Sequence, residues 1–465
     1  MAHDEAFPFK HALVTLPGSR RAHHGRVWDV GVRGMVEASG ASEEIGQLVQ
    51  PPRCRHCDAP LTTLFADLGA TPVANDYLTP QRRYNAEPFY PLKAYVCGTC
   101  RLVQLQDFRR SDELFREDYA YFSSVSTSWL AHAKHYADQM VPYLGLGPAS
   151  QVVEVASNDG YLLQYFKERD IPVLGIEPCR SVADYAVEKK GIATRIAFFG
   201  RAMAQGLATE GFAADLTVAN NVLAHVSDIN DFVGGFTALL KPEGVATFEF
   251  PHLLALIRLN AFDTIYHEHF SYLSLLAASR IFATNGLRVF DVEQLSTHGG
   301  SLRLFACHTS SARQRTVRVD EVLDMERAAG LDTDQPYRAF AEQVRETKRS
   351  LLELLIGLKR QGKSIAGYGA AAKGNTLLNY CGVGADVLDF VVDRSPHKQG
   401  LFLPGTRLEI RAPEAIDQCR PDYVMILPWN LQEEVTAQLA HIAEWGGRFI
   451  VPIPKARIIE TQVSG

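Results

Sequence analysis

The chain of 465 residues has no apolar run that approaches the length of a membrane span. Residues 1–50 lack the uninterrupted apolar core of a secretory signal, and their weak periodicity predicts a loosely ordered extension, with Met35 as an alternative initiator. Basic residues are also fewer than acidic ones: 47 lysines and arginines stand against 53 aspartates and glutamates, so the formal net charge is −6. This charge balance argues against non-specific electrostatic binding to nucleic acid or to an anionic membrane. We therefore expect neither as a partner.

Disulfides are also not expected. Eight cysteines in a chain without a secretory signal are better explained as thiols and thiolates than as a disulfide framework. This cysteine usage predicts a cytoplasmic protein. The length exceeds what one hydrophobic core supports and predicts two or three domains.

Four of the cysteines form two short pairs, Cys54-x-x-Cys57 and Cys97-x-x-Cys100. Two thiolates at this spacing can occupy two corners of a tetrahedron, and the second pair closes it. The pairs are separated by 39 residues, so a small subdomain must lie between them. Four thiolates leave no open coordination position, which predicts a structural Zn²⁺. The alternative is four unrelated buried or free cysteines.

A strand, loop and helix pattern follows at residues 151–169, but its loop lacks the G-x-G-x-x-G of dinucleotide-binding folds and keeps only Gly160. The missing glycines argue against a dehydrogenase. They are compatible with S-adenosylmethionine, which has no pyrophosphate for such a loop to bind. A second predicted strand, Val173–Ile176, ends in Glu177, whose carboxylate could accept both hydroxyls of an adenosine ribose. An α/β domain without a cofactor would show the same turn, so that alternative stays open.

Two further positions could contact the cofactor. A strand that begins at Leu216 runs into a polar loop at Asn220 and Asn221, and Phe199 follows the third strand position. Phe199 could form a wall for adenine, with core packing as the alternative. The predicted cofactor-binding residues are Glu154, Ala156, Asn158, Gly160, Glu177, Phe199, Asn220 and Asn221.

The stretch from Tyr266 to Tyr272 is too polar for a core and too aromatic for a solvated face. Methylation of carbon needs a base that removes a proton beside a carbonyl, and a group that stabilises the enolate oxygen. A neutral histidine of this stretch could take the proton, with Glu268 orienting it and a tyrosine hydroxyl or second imidazole stabilising the oxyanion. His225 is a further candidate, with a capping or cofactor-side role as the alternative. A metal pair at His267 and His269 lacks convincing partners.

The last third of the chain predicts a second open α/β unit after a helical stretch at residues 317–360. Its strand–loop–helix segment at residues 363–376 suits a phosphate at a helix N-terminus, with Lys373 as the counter-charge. A strand over Val387–Val392 ends in Asp393. The glycines of 298–303 allow close backbone approach, and Arg303 could pair with phosphate or lie on a surface hairpin. The candidate substrate-binding residues are His298, Gly299, Ser301, Arg303, Lys373, Asn375 and Asp393.

Taken together, these stretches resemble the sugar C-methyltransferases of deoxysugar biosynthesis. The matching segments are the four cysteines and residues 72–78, 154–160, 266–269, 298–303 and 368–375. The resemblance implies an α/β protein with a small zinc-binding domain at 51–125 and a central Rossmann-like class I methyltransferase domain at 126–310. A C-terminal Rossmann-like domain at 311–465 would bind the nucleotide sugar, and residues 1–50 would be the extension.

The same resemblance implies the reaction and the residues that perform it. The substrate would be a nucleotide-linked keto-deoxysugar, with thymidine diphosphate as the expected carrier, methylated at the carbon next to the carbonyl. His269 matches the base, Tyr266 and Glu268 its active-site partners, and His225 another histidine of the site. Tyr77 would project from the zinc domain into the same pocket. The oligomeric state is left open, a monomer included.

Three alternatives differ in class. A sugar O- or N-methyltransferase would share the cofactor domain and would need a base for a hydroxyl or no base at all, so the crowded histidine stretch argues against it. An RNA methyltransferase whose zinc-binding domain recognises nucleic acid would need a basic surface patch. The net negative charge of the chain disfavours such a patch. A non-catalytic nucleotide-sugar binder would not bind S-adenosylmethionine.

Overall fold

The computed structural model describes residues 51–109 and 122–459, and the predicted extension at 1–50 lies outside them. Within these ranges the chain forms three sheets flanked by helices, an α/β architecture as predicted. Among the described residues, no helix combines the length and the apolar character needed to cross a bilayer.

The strands, numbered along the chain, are β1 (Thr63–Thr71), β2 (Tyr90–Val96), β3 (Val103–Leu105), β4 (Val152–Val155), β5 (Val173–Ile176), β6 (Thr194–Arg195), β7 (Ala214–Asn220), β8 (Leu240–Pro251), β9 (Ser271–Tyr272), β10 (Leu287–Leu295), β11 (Ser301–His308), β12 (Ile365–Tyr368), β13 (Val391–Val392), β14 (Ile410–Arg411), β15 (Tyr423–Ile426), β16 (Arg448–Val451) and β17 (Arg457–Ile459). The α-helices are α1 (Thr127–Leu144), α2 (Leu163–Lys167), α3 (Arg180–Lys190), α4 (Arg201–Thr209), α5 (Ile229–Leu239), α6 (Leu253–Arg258), α7 (Leu275–Thr284), α8 (Val317–Ala328), α9 (Gln335–Arg360), α10 (Ala372–Cys381), α11 (Ala415–Cys419) and α12 (Gln432–Gln438).

The first sheet is small and antiparallel, in the order β1-β2-β3-β9. Along β2 the side chains of Leu92, Ala94 and Val96 are buried while their neighbours are more exposed, which is the period of two expected of a sheet with one face on a core. Its fourth strand, β9, comes from the segment predicted to belong to the central domain. The zinc-binding sheet is therefore completed by the chain that follows the candidate catalytic residues.

The second sheet has seven strands in the order β10-β11-β8-β7-β4-β5-β6. Strands β8, β7, β4, β5 and β6 are parallel, and β11 is antiparallel to both of its neighbours. The central strands are short apolar runs buried on both faces, as expected of parallel strands covered by helices. The carboxyl ends of β4, β5 and β7 meet at one edge, and their loops form the predicted cofactor site.

The third sheet has the order β14-β13-β12-β15-β16-β17, parallel except for β17 at its edge. Sequence order reverses between β12 and β15, and in open α/β sheets ligands bind beside such a switch point. The loop after β12 leads into α10, whose first turn contains Lys373.

Several predicted boundaries differ from the structure. The helical stretch predicted at 317–360 is divided into α8 and α9, with Gly330 at a φ of 79° in the turn between them. The strand predicted at Val387–Val392 pairs only at Val391–Val392, because the preceding residues form a turn in which Val387 and Leu388 donate to Gly384. The helix predicted from Tyr161 begins at Leu163, which leaves Tyr161 in the turn beside the β4 loop.

Candidate active site

The four paired cysteines converge beside the first sheet. The Sγ atoms of Cys54 and Cys100 lie 3.5 Å apart, as do those of Cys57 and Cys97, and all four lie within 4.8 Å of one another. A tetrahedral zinc site with bonds of about 2.3 Å has sulfur–sulfur edges of about 3.8 Å, so this donor set fits Zn²⁺. The backbone N–H groups of Thr99 and Cys100 point to Cys97 Sγ, as expected around a thiolate.

The zinc site is joined to the candidate catalytic segment by β3. Gln104 Nε2 donates to Cys54 Sγ at 3.1 Å, and Gln104 lies opposite Ser271 in the β3–β9 pair. One residue further, the N–H of Leu105 donates to the carbonyl of Phe270 at 3.0 Å. The chain on the C-terminal side of His269 is thus held in register by the zinc-binding sheet.

His269 is held by two hydrogen bonds that fix its tautomer. Its Nδ1 lies 2.9 Å from the carbonyl of Thr264, which can only accept, so Nδ1 carries the proton. Nε2 is therefore an acceptor, and it receives the hydroxyl of Tyr266 at 2.7 Å. The two ring centroids lie 3.9 Å apart, with the ring planes tilted by 34°. The predicted pair of Tyr266 and His269 is thus in direct contact.

His225 lies edge-on to this pair. Its ring centroid is 4.6 Å from that of His269, and its Nδ1 donates to the carbonyl of Glu268 at 2.7 Å. Burial lowers the pKa of His225 to about 4. Both histidines nevertheless keep part of their surface open to solvent, so they do not lie in a sealed core, and the space onto which they open is called the cleft below.

Burial also lowers the pKa of His269 well below its ordinary value, and the nearby His225 is the next largest cause. The charge of Lys373 acts in the same direction. His269 is therefore a neutral imidazole at neutral pH, with a free lone pair once the tyrosine hydroxyl turns away.

The carboxylate of Glu268 does not orient His269: residues 266–269 form a turn, closed by the N–H of His269 donating to the carbonyl of Tyr266 at 2.9 Å, and this carboxylate faces Asn75. Its Oε1 accepts hydrogen bonds from the backbone and the side-chain amide of Asn75 at 3.2 and 3.0 Å. The orienting role predicted for Glu268 belongs instead to the carbonyl of Thr264. Burial raises the pKa of Glu268, whose carboxyl group links the segment to the zinc domain.

Tyr77 also connects two parts of the chain. Its hydroxyl donates to the carbonyl of Ala370 at 2.6 Å, in the loop just before Lys373. Leu78 and Phe402 exchange backbone hydrogen bonds beside it. In the structure this hydroxyl holds the loop of α10, whereas the sequence predicted that it lines the reaction pocket.

The backbone of the loop after β4 has a conformation that allows a ligand to approach it closely. Ala156, Asn158 and Gly160 have φ values of 58°, 50° and 74°, and the first two are unusual for residues with a side chain. Glu177 fixes this turn, since its carboxylate accepts the N–H groups of Asn158 and Cys179, each at 2.9 Å. Its predicted contact with a ribose would use the same carboxylate.

Glu154 provides a test of whether S-adenosylmethionine fits. The residue is fully buried, and neither carboxylate oxygen meets the geometry of a hydrogen bond. Burial raises the pKa of Glu154 well above its ordinary value, so the protein alone does not stabilise the charge. Asn220 and Asn221 likewise each leave their Oδ1 atom unsatisfied. These four oxygens, two of Glu154 and one of each asparagine, suit the ammonium and hydroxyl groups of the cofactor, which would supply an electrophilic methyl group when bound.

Phe199 is placed less favourably. Its ring packs edge-on against Phe232 and Phe236, with centroids 5.7 and 4.9 Å away. These contacts favour the core-packing alternative over an adenine wall.

The predicted substrate residues separate into two groups. Three have their polar atoms committed to the fold. Arg303 is 2% exposed and pairs with Glu249 and Glu293, which disfavours a phosphate contact. Asn375 donates to the carbonyl of Ala74. The carboxylate of Asp393 accepts the N–H groups of Ala370 and Ser395.

The remaining four substrate candidates lie at the 297–301 turn or in the first turn of α10, and of these Ser301 is also committed to the fold. His298 is exposed, adopts a φ of 54° and lies 3.3 Å from the side-chain amide of Asn221. Gly299 follows it with a φ of 87°, and the Ser301 hydroxyl closes the turn by donating to the carbonyl of Thr297. Burial lowers the pKa of both His269 and His298, and the charge of the half-buried Lys373 acts in the same direction.

Sequence reasoning missed four residues that the structure adds to the site. Trp129 and Tyr161 form an aromatic edge beside His298, and His132 pairs with Glu249 behind them. A clue was present for Glu249, because it is the one carboxylate in the apolar run at 245–250 of β8, and a buried carboxylate must be paired.

The comparisons with known proteins agree with this arrangement. Three family models match successive parts of the chain: "Putative zinc binding domain" at 54–115, "Methyltransferase domain" at 129–292 and "C-methyltransferase C-terminal domain" at 296–454. The C-methyltransferase NovU of Streptomyces niveus is 36% identical over 416 residues, which are 89% of this chain and 99% of that protein. The zinc-binding and methyltransferase predictions are confirmed.

Solved structures overlap the chain only in part. A methyltransferase from Anabaena variabilis is 12% identical with a TM-score of 0.35, covering 44% of this chain and 99% of its own. Magnesium protoporphyrin IX methyltransferase from Synechocystis, solved with its cofactor bound, is 15% identical with a TM-score of 0.29, covering 39% and 81%. Likeness at this level does not bear on function.

Replacing Cys97 by Ser should release the metal, since an alcohol is a poor substitute for a thiolate ligand. Metal analysis should find zinc well below one equivalent, together with a lower melting temperature. The control is Cys381→Ser, which removes a buried thiol far from the cluster and should keep the metal. A fully loaded Cys97→Ser protein would contradict the four-thiolate site.

Binding of S-adenosylmethionine should release protons, because burial raises the pKa of Glu154 and an ammonium beside this carboxylate would lower that pKa again. Calorimetry in phosphate and in Tris should therefore give different apparent enthalpies. Glu154→Gln should bind more weakly and lose the buffer dependence, whereas the exposed control Glu168→Gln should behave like the wild type. Equal enthalpies for the wild type in both buffers would show that Glu154 does not take up this role.

Proposed function

The chain belongs to the S-adenosylmethionine-dependent C-methyltransferases, and from this premise we propose that it methylates a nucleotide-linked keto-deoxysugar, with thymidine diphosphate as the expected carrier. The methylated carbon would be the one next to the carbonyl. His269 would remove the proton from this carbon, and the enolate would take up the methyl group. The proposal depends most on one observation, the neutral His269 ring whose Nε2 atom is an acceptor beside the cleft.

In the free protein the lone pair of Nε2 is occupied by the hydroxyl of Tyr266. When a carbonyl enters the cleft, this hydroxyl can turn to the carbonyl oxygen and leave Nε2 open toward the neighbouring C–H. One movement then provides both groups that the reaction requires, a base and a donor for the developing oxyanion. The carbonyl of Thr264 remains bonded to Nδ1 and stabilises the imidazolium that forms.

A histidine with a strongly depressed pKa is a weak base, but the bound substrate would raise this pKa. Lys373 places a positive charge near His269. An anionic diphosphate beside Lys373 would offset that charge and raise the basicity of the imidazole. The position of Lys373 in the first turn of α10, at the switch point of the third sheet, supports this placement of the diphosphate.

His269→Asn should bind S-adenosylmethionine with near-native affinity but lose methylation by about 100-fold or more, since it removes the base. His267→Asn is the matched control: His267 lies two residues away, with its Nε2 bonded to the carbonyl of Pro91, and its loss should leave turnover within a few-fold of native. Native turnover by His269→Asn would refute the assigned base.

The acidic limb of the kcat/KM profile reports His269 in the free enzyme and should lie below pH 6.5, because burial and nearby positive charge lower this pKa. Activity should be present above that limb and lost as the pH falls through it. Lys373→Met removes a positive charge, so its limb should move upward. A wild-type limb above pH 7 would contradict the account.

The experiment that decides the substrate class is a labelled-methyl assay against a panel of keto-sugars linked to thymidine diphosphate, with the methylated atom identified by NMR. A new carbon–carbon bond next to the carbonyl is expected. A methyl group on oxygen or nitrogen would support the O- or N-methyltransferase alternative. Failure to bind S-adenosylmethionine would support a nucleotide-sugar binder without catalytic activity.

A further inference from the structure

Trp129, in the first turn of α1, lies at the border between the cofactor loops and the cleft. Its ring centroid is 5.8 Å from that of Tyr161 and 5.8 Å from that of His298. The indole stacks on His132 at 4.9 Å, and the residue is half-buried. The ring therefore spans the gap between the β4 loop and the loop that carries His298.

A buried carboxylate keeps the indole in place. Glu249 is fully buried and pairs with His132 Nε2 at 2.9 Å, while the hydroxyl of Thr297 donates to its other oxygen at 3.1 Å. The guanidinium of Arg303 completes the set at 2.8 Å. Glu249 thus binds α1 and the 297–299 turn to the same strand, so Trp129 and His298 hold a fixed relative position.

The covalent structure of S-adenosylmethionine limits where its positive sulfur can lie. The sulfur separates the ribose, expected at Glu177, from the ammonium, expected at Glu154. Its methyl group must face the cleft that contains His269. Tyr161 is on this path, because its hydroxyl lies 3.3 Å from the side-chain amide of Asn220. Trp129 is the large aromatic face next to Tyr161 on the side of the cleft.

We propose that the indole of Trp129 recognises the sulfonium cation of S-adenosylmethionine. The face of an indole attracts cations more strongly than that of any other side chain. S-adenosylhomocysteine has the same shape without the methyl group and without the charge on sulfur. Trp129 therefore favours the methyl donor over the spent product, a preference that helps the product to leave after each turnover.

The test compares the dissociation constants of S-adenosylmethionine and S-adenosylhomocysteine, measured by calorimetry. In Trp129→Leu the ratio of the first constant to the second should rise about three- to thirty-fold, because only the cation loses an attraction. Trp129→Phe keeps an aromatic face and should show a smaller rise. If the affinities for both ligands fell equally, Trp129 would provide only apolar contact. If neither affinity changed, Trp129 would not contact the cofactor. Either result overturns the proposal.

A second measurement applies even if Trp129→Leu does not fold. Protein labelled with 5-fluorotryptophan keeps the shape of the ring but has a less negative face. Its affinity should fall for S-adenosylmethionine and stay constant for S-adenosylhomocysteine. Labelled Trp129→Phe carries the fluorine at the other tryptophans only and should match its unlabelled form. An unchanged ratio in the labelled wild type would overturn the proposal.

Discussion

The pairing of β3 with β9 is the contact on which the candidate active site depends. Gln104 touches a metal-ligating sulfur with its side chain and pairs with Ser271 through its backbone. His269 lies two residues before Ser271, between this pair and the Thr264 carbonyl that holds its ring. A zinc ion held by these sulfurs would act on the proposed chemistry from a distance: it would keep a short strand rigid, and that strand fixes where the candidate catalytic segment ends.

The same segment is held from the other side by the C-terminal sheet. Thr376 of α10 donates to the carbonyl of Ile265, and the indole N–H of Trp429 donates to the buried Asp263. Lys373 lies one turn before Thr376, on the same face of α10. The candidate base, the cofactor loops and the cation proposed for the diphosphate thus lie beside three different sheets.

Local patterns in the sequence predicted much of this arrangement. The cysteine spacing and the turn around Gly160 depend on neighbours in the chain, and the structure contains both, whereas Tyr266 was implied as a partner of His269 only by the family resemblance. The addition of β9 to the zinc-binding sheet could not be predicted, because the pairing of distant strands leaves no local pattern. For the same reason the sequence could not show that Arg303 is buried against Glu249, or that Glu268 faces Asn75 rather than His269.

The most direct test of the central claim separates proton removal from methyl transfer. The enzyme would be given S-adenosylhomocysteine and a keto-sugar nucleotide in D₂O, and NMR would follow deuterium entering the carbon next to the carbonyl. Zinc-loaded enzyme should exchange this hydrogen, and enzyme stripped of zinc that still binds S-adenosylhomocysteine should not. Exchange at the native rate without the metal would show that the strand pair does not position the base.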